Sequence, residues 1–197
     1  MNLPNRLTVF RIALVPVIVL IWIFPYAQFN IDLSILNIKG MVLPVLNIIT
    51  LVLFAVASFT DFLDGYIARS KHLVTTFGKF ADPVADKLLV NTLLILFVSS
   101  NLVPVVPVIL MLARDLIVDG CRMIASKNGV VIAAGYLGKV KTVAQMITII
   151  FVLLNNLPFE IYNIPFTSII LWFATFVSLI GGYAYFSQVK EYIFESM

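Results

Sequence analysis

Four aspartates stand in one stretch of the chain at the spacing Asp61-x2-Asp64-Gly65-x2-Ala68-Arg69-x8-Gly78-x3-Asp82-x3-Asp86. On helices, residues three or four apart share a face, so Asp61 with Asp64 and Asp82 with Asp86 form two carboxylate pairs that adjacent helices can aim into one space. Like charges that close repel unless a cation sits between them. Carboxylates without His or Cys suit hard ions such as Mg2+ or Mn2+ rather than zinc. Two divalent ions would balance four carboxylates, an arrangement used in phosphoryl transfer.

The small residues point the same way. Gly65 follows Asp61 by one turn, Ala68 follows Asp64 by one turn, and Gly78 precedes Asp82 by one turn, so little side-chain bulk lies beside the acids. A flat or bulky ligand group fits against such bare backbone, although each small residue taken alone serves equally as a helix-packing contact. Arg69 offers a bidentate donor for phosphate oxygens and taken singly is also a plausible topology anchor.

The elements that must hold these residues are membrane helices. The chain has 197 residues, 61% hydrophobic and only 12% charged, where a soluble domain carries about 25% charged residues. Its mean hydropathy is +1.07. A helix needs about 20 apolar residues to cross a bilayer. Six such stretches run near Leu7–Tyr26, Met41–Phe62, Phe77–Ser99, Pro104–Ile124, Gly135–Asn155 and Pro165–Val189. Breakers separate them at Phe24-Pro25, Asn37–Gly40, Ser99–Asn101, Asn128-Gly129 and Asn155–Pro158. The expected fold is therefore an all-α integral membrane protein with six transmembrane helices, residues 1–197 forming a single membrane domain. Pro44 and Pro104 suit early helical turns, Pro16 is an interior kink site, and Pro83 either distorts the backbone beside Asp82 or starts its helix.

Charge placement sets the expected orientation. With six spans both termini share one side, and on it fall Arg6, Arg11, Arg69, Lys71, Lys79, Lys87, Arg114, Arg122, Lys127, Lys139, Lys141 and Lys190, leaving only Lys39 of the 13 basic residues opposite. The positive-inside rule then puts both termini and the aspartates at the cytoplasmic face of the cell membrane. The first stretch reads as a retained helix, since bulky Phe24-Pro25-Tyr26 offers no small-residue cleavage site. Ionisable residues cost roughly 2.5–3.5 kcal/mol each at membrane depth, which makes a cluster of four a functional signal.

Other residues carry less. Cys121 is the single cysteine, so no intrachain disulfide forms, and a buried thiol is expected. His72 reads as a solvated loop residue, Trp22 and the Tyr and Phe residues near span ends as interfacial anchors, and Glu191 and Glu195 as solvated. Gly138-Lys139-x-Lys141-Thr142 fails the nucleotide-loop pattern, because Ala133 stands where the first glycine belongs. No repeat, low-complexity run or nucleic-acid-binding module is present.

From Asp61 to Asp86 the chain resembles the CDP-alcohol phosphatidyltransferase family, matching the signature D-x2-D-G-x2-A-R-x8-G-x3-D-x3-D at every fixed position. The resemblance implies six transmembrane helices, usually in a homodimer, and displacement of CMP from a CDP-linked lipid by an alcohol at the cytoplasmic face. It also implies that Asp61, Asp64, Asp82 and Asp86 hold one or two Mg2+ or Mn2+ ions on the pyrophosphate. Asp86 would be the general base, a choice that spacing alone leaves open. Gly65, Ala68 and Gly78 would line the cytidine site, and Arg69 would bind the pyrophosphate.

The acceptor turns on a second basic set: Arg114 beside Asp115, then Arg122, Lys139 and Lys141. These cations suit a phosphorylated acceptor; serine would need less positive charge. Together with the opening Asn2-Leu3-Pro4-Asn5-Arg6-Leu7-Thr8-x2-Arg11, the segment Gly138–Thr142 resembles the phosphatidylglycerophosphate-forming branch. That branch joins CDP-diacylglycerol and sn-glycerol 3-phosphate into phosphatidylglycerophosphate and CMP. On this resemblance Asn5, Thr8 and Arg11 lie near the nucleotide, and Arg114, Arg122, Lys139 and Lys141 near the acceptor phosphate. The same basic residues also suit snorkelling anchors. Competing readings are a sibling transferase using serine or another alcohol phosphate, and a divalent-cation transporter; against the latter, the acids cluster at one face instead of lining a path.

Overall fold

The computed structural model describes residues 2–31, 35–38, 41–71, 73, 75–130 and 135–194. Six long helices account for most of them: α1 (Leu3–Ile23), α2 (Val45–Ser70), α3 (Thr76–Ser99), α4 (Val105–Lys127), α5 (Tyr136–Leu153) and α6 (Phe166–Phe194). Single 3-10 turns, Tyr26–Phe29 and Phe159–Tyr162, follow α1 and α5. His72 and Glu195, and the side chain of Glu191, lie outside the described residues.

Local chemistry sets the helix starts that matter for function. Asn2 accepts a hydrogen bond from the Asn5 amide at 3.1 Å, and Pro4 occupies the first turn of α1, where its missing donor is harmless. Thr75 accepts from the Gly78 amide at 3.0 Å and starts α3. Because α3 begins at Thr76, Pro83 is interior to the helix and does not start it, so one backbone hydrogen bond is missing beside Asp82. Pro44 and Pro104 stand just before α2 and α4 in extended backbone, one step earlier than expected.

Two departures from the expected elements concern α2. The first residues of the expected Met41–Phe62 stretch, Met41–Pro44, precede the helix and pair antiparallel with Ile35–Ile38 as a two-stranded hairpin, Ile35 opposite Pro44 and Ile38 opposite Met41. The helix then runs on past Phe62 to Ser70, so Asp64, Gly65, Ala68 and Arg69 lie in unbroken helix. At the far helix ends, Asn101, Asn155 and Asn156 adopt left-handed backbone, as breakers there should.

The helices group by contact. α1 packs along α2 and α3, while α6 packs along α4 and α5; α3 and α5 join the two groups. Their shared core includes Leu14, Ile18, Phe54, Ala57, Leu93, Phe97, Met111, Ile149, Leu153 and Leu171. Trp22 belongs to this packing and is not a free interfacial anchor: it is half-buried, its indole donates to Thr50 Oγ1 at 2.8 Å, and its ring meets Phe97 at 5.6 Å. Cys121 is buried, as expected.

The exterior is apolar too, with Leu20, Phe59, Phe62, Leu116, Phe176 and Tyr183 exposed. Helices α1, α2 and α5, and α6 from Phe166 to Lys190, are long and apolar enough to cross a membrane. A chain apolar both inside and out is built to sit in lipid. Helices α3 and α4 differ because they carry Asp82, Asp86 and Lys87, and Arg114, Asp115, Asp119 and Arg122, inside their length.

Candidate active site

The acidic pairs meet around a residue from a third helix. Arg11 of α1 is fully buried, and its guanidinium reaches Asp61 Oδ1 at 2.7 Å, Asp64 Oδ2 at 2.6 Å and Asp86 Oδ1 at 2.6 Å. Asp61 and Asp86 share one nitrogen, Nη1, so their oxygens face each other across a single atom. The fourth acid, Asp82, is held by Thr8, whose hydroxyl donates to Oδ1 at 2.7 Å. Thr8 and Arg11 lie one turn apart on α1, so one helix face orders both carboxylate pairs.

Depth divides the four. The Asp64 side chain is only 3% exposed, whereas those of Asp61 and Asp86 are 41% and 46% exposed. Asp86 is thus open to an incoming group. One cation among several carboxylates leaves the cluster short of positive charge. The donor set, all carboxylate oxygen, fits a hard divalent ion. Among the described residues no group of three or more acidic, His or Cys side chains is arranged to hold a metal as it stands, because the point shared by three of them is taken by the guanidinium.

A cavity of about 190 Å³ opens on one side of this cluster, lined by Asn5, Gly65, Ala68, Arg69, Gly78 and Asp82. Here the signature's small residues gather. A Cβ on Gly78 would lie 3.3 Å from both Asn5 Oδ1 and Thr75 Oγ1 and 3.6 Å from Asp82 Oδ2, so a side chain there would widen the close approach of the α1 and α3 starts by a few tenths of an ångström. Thr75 donates to Asn5 Oδ1 at 2.9 Å, fixing that approach. At Gly65 a Cβ would make only ordinary contact with Arg69, so its bareness serves the cavity and not the packing.

On the other side lies a larger cavity of about 380 Å³, whose lining includes Asp82, Asp86, Arg114, Arg122, Lys139 and Lys141. All four basic residues of the second set therefore meet in one chamber, and Asp82 borders both chambers. Lys141 is buried and contacts Asp115 at 2.5 and 2.6 Å, and Arg114 donates to Asp115 Oδ1 at 3.0 Å. Two cations thus share one anion. Arg122 donates to the Tyr185 hydroxyl at 3.0 Å, while Lys139 is exposed and makes no ion pair among the described residues. Arg114 Nη2 and Arg122 Nε are buried without a hydrogen-bond partner.

A model of the CDP-alcohol phosphatidyltransferase family matches residues 1–180. The chain belongs to this family. It is 44% identical over 190 residues to the CDP-diacylglycerol–glycerol-3-phosphate 3-phosphatidyltransferase of Bacillus subtilis, covering 96% of both chains. The enzyme of the same name from Rickettsia bellii is 39% identical over 192 residues, 97% of each chain. That from Pseudomonas fluorescens is 32% identical over 195 residues, 96% of this chain and 88% of the relative.

In this CDP-alcohol phosphatidyltransferase several site residues have a different place from the one the sequence suggests, or none in it. Arg11, grouped there with the nucleotide residues, stands inside the acidic cluster itself. Thr75 had a signal, a threonine just before a helix start. Lys87, which pairs with Asp119 of α4 at the chamber edge, stood next to Asp86 but was counted only for topology. Tyr185 had none: it comes from α6, far outside the signature.

Proposed function

We propose that this phosphatidyltransferase joins CDP-diacylglycerol to sn-glycerol 3-phosphate, forming phosphatidylglycerophosphate and releasing CMP. The observation that carries the reading is the acidic wall with a bare-backboned chamber on one side and a basic chamber on the other. Asn5, Gly65, Ala68, Gly78 and Arg69 receive the cytidine and diphosphate of the lipid, with Thr8 and Arg11 ordering the acids beside them. Arg114, Arg122, Lys139 and Lys141, whose positive charge the single Asp115 leaves partly uncompensated, receive the acceptor phosphate.

The reaction follows from that placement. The acceptor hydroxyl oxygen forms a bond to the phosphorus bearing the diacylglycerol, the bond from that phosphorus to the CMP oxygen breaks, and the hydroxyl proton passes to Asp86. A carboxylate within about 2.6–3.2 Å of a hydroxyl serves as general base, and Asp86 is open to the acceptor chamber. Asp61, Asp64, Asp82 and Asp86 would hold one or two Mg2+ or Mn2+ ions, which would supply neutralisation of the diphosphate charge. The rest of the catalytic task is positioning and charge stabilisation.

The setting we propose is a single membrane domain of six spans, α3 and α4 included, with both termini and the site at the cytoplasmic face of the cell membrane and two chains forming a homodimer. Charged side chains of α3 and α4 then face the chambers and each other, not lipid. The test is an acceptor screen with purified protein and CDP-diacylglycerol. Glycerol 3-phosphate should yield CMP and the phosphorylated lipid; product formed with serine alone would reject the acceptor assignment.

A further inference from the structure

The basic chamber leans on one side chain that no signature residue announces. Tyr185 of α6 is buried, and its hydroxyl accepts from Arg122 Nη2 at 3.0 Å and from the Gly135 amide, at the start of α5, at 2.9 Å. Its ring lies under two guanidinium groups at once, with Arg122 at 5.1 Å and Arg114 at 5.9 Å from the centroid. The electron-rich face of one phenol ring thereby attracts two like charges that would otherwise push each other apart. Arg122 belongs to α4, and Lys139 and Lys141 to α5, so the hydroxyl also ties together the two helices that carry the chamber's cations.

The same face of α6 holds Arg114 along its length. One and two turns before Tyr185, the α6 backbone lies against that arginine: Arg114 Nε donates to the Ser178 carbonyl at 2.9 Å. A Cβ on Gly182 would stand 2.7 Å from Arg114 Cγ, and one on Gly181 3.1 Å from Nη2, so side chains there would displace it. Carbonyl, bare backbone and phenol ring together form a cradle for the arginines.

We propose that Tyr185 is a positioning residue for acceptor recognition, fixing Arg122 and Arg114 so that they present charge to the phosphate of the alcohol substrate; this rests on the glycerol 3-phosphate reading above. Tyr185 lines the edge of the acceptor chamber and acts through the two arginines that it holds. Its contribution is therefore to acceptor affinity, with the CDP-lipid side of the reaction untouched.

The experiment is steady-state kinetics of CMP release with Tyr185→Phe, which keeps the ring and removes the hydroxyl. Loss of one charge-assisted hydrogen bond should raise KM for glycerol 3-phosphate by roughly tenfold, while KM for CDP-diacylglycerol stays at its wild-type value and the thermal transition falls by only a few degrees. Because the hydroxyl also holds Gly135, a cycle with Arg122→Gln separates the two contacts: the double variant should be little worse than Arg122→Gln alone. A wild-type protein that releases no CMP in response to glycerol 3-phosphate overturns the acceptor reading and this inference with it. A responsive wild type with an unchanged Tyr185→Phe, equal shifts in both KM values, or fully additive effects in the cycle overturns the inference alone.

Discussion

Two charge clusters stand a few side chains apart in this protein, and they are built with opposite ratios. Around Arg11, one buried cation contacts three carboxylates, with a fourth, Asp82, on Thr8 beside them. Around Asp115, one buried carboxylate contacts two cations, Lys141 and Arg114, with Arg122 and Lys139 on the same chamber. Buried charge is tolerated only when compensated, so the sign left over in each cluster states what it is built to receive. The first is short of positive charge and fits metal ions; the second is short of negative charge and fits a phosphate. On the function proposed above, the nucleotide-linked donor uses the first and the phosphorylated acceptor the second.

The comparison breaks most visibly at Asp86. Asp86→Asn keeps the shape but removes the base, and turnover should fall by about 10²–10⁴-fold, with CDP-diacylglycerol binding largely kept; turnover near wild type would remove Asp86 from the mechanism. Lys141→Ala comes next. It halves the cations held by Asp115, and KM for glycerol 3-phosphate should rise by roughly 10–100-fold, the scale of one lost charge-assisted contact. Equal effects on both substrates would argue that the two chambers do not divide the work.

Gly78→Ala probes the other side more gently. The added methyl meets Asn5 and Thr75 at 3.3 Å, so KM for CDP-diacylglycerol should rise by a few-fold, on the order of 1 kcal/mol, with acceptor KM unchanged; a shift confined to the acceptor would contradict the assignment of that cavity. Trp22→Phe touches neither cluster. It loses the hydrogen bond to Thr50, worth about 1 kcal/mol, and should lower thermal stability slightly at constant kinetics, which sets the baseline for the other variants.

How much of this was readable in advance depends on the range of each interaction. The carboxylate pairs follow from helical spacing within short segments, so their convergence was legible from Asp61 to Asp86. The apolar stretches likewise gave six helices, with end errors at Met41 and Phe62 where a hairpin and a continuing helix replaced the simple pattern. Arg11 was recognised as part of the opening motif, yet its bonds to Asp64 and Asp86 span 53 and 75 positions, and nothing in local pattern specifies them. Tyr185 is the extreme case. A tyrosine toward the end of an apolar helix reads as an interfacial anchor, and only the packing of α6 on α4 and α5 reveals what its hydroxyl holds.

The central claim, that the second cluster selects an acceptor by its phosphate, is tested most directly by measuring divalent-ion-dependent CMP release from CDP-diacylglycerol with glycerol 3-phosphate and with glycerol at equal concentrations. The account predicts release with the phosphorylated alcohol, little with glycerol, and none after chelation until Mg2+ or Mn2+ is restored. Equal rates with both alcohols would contradict it.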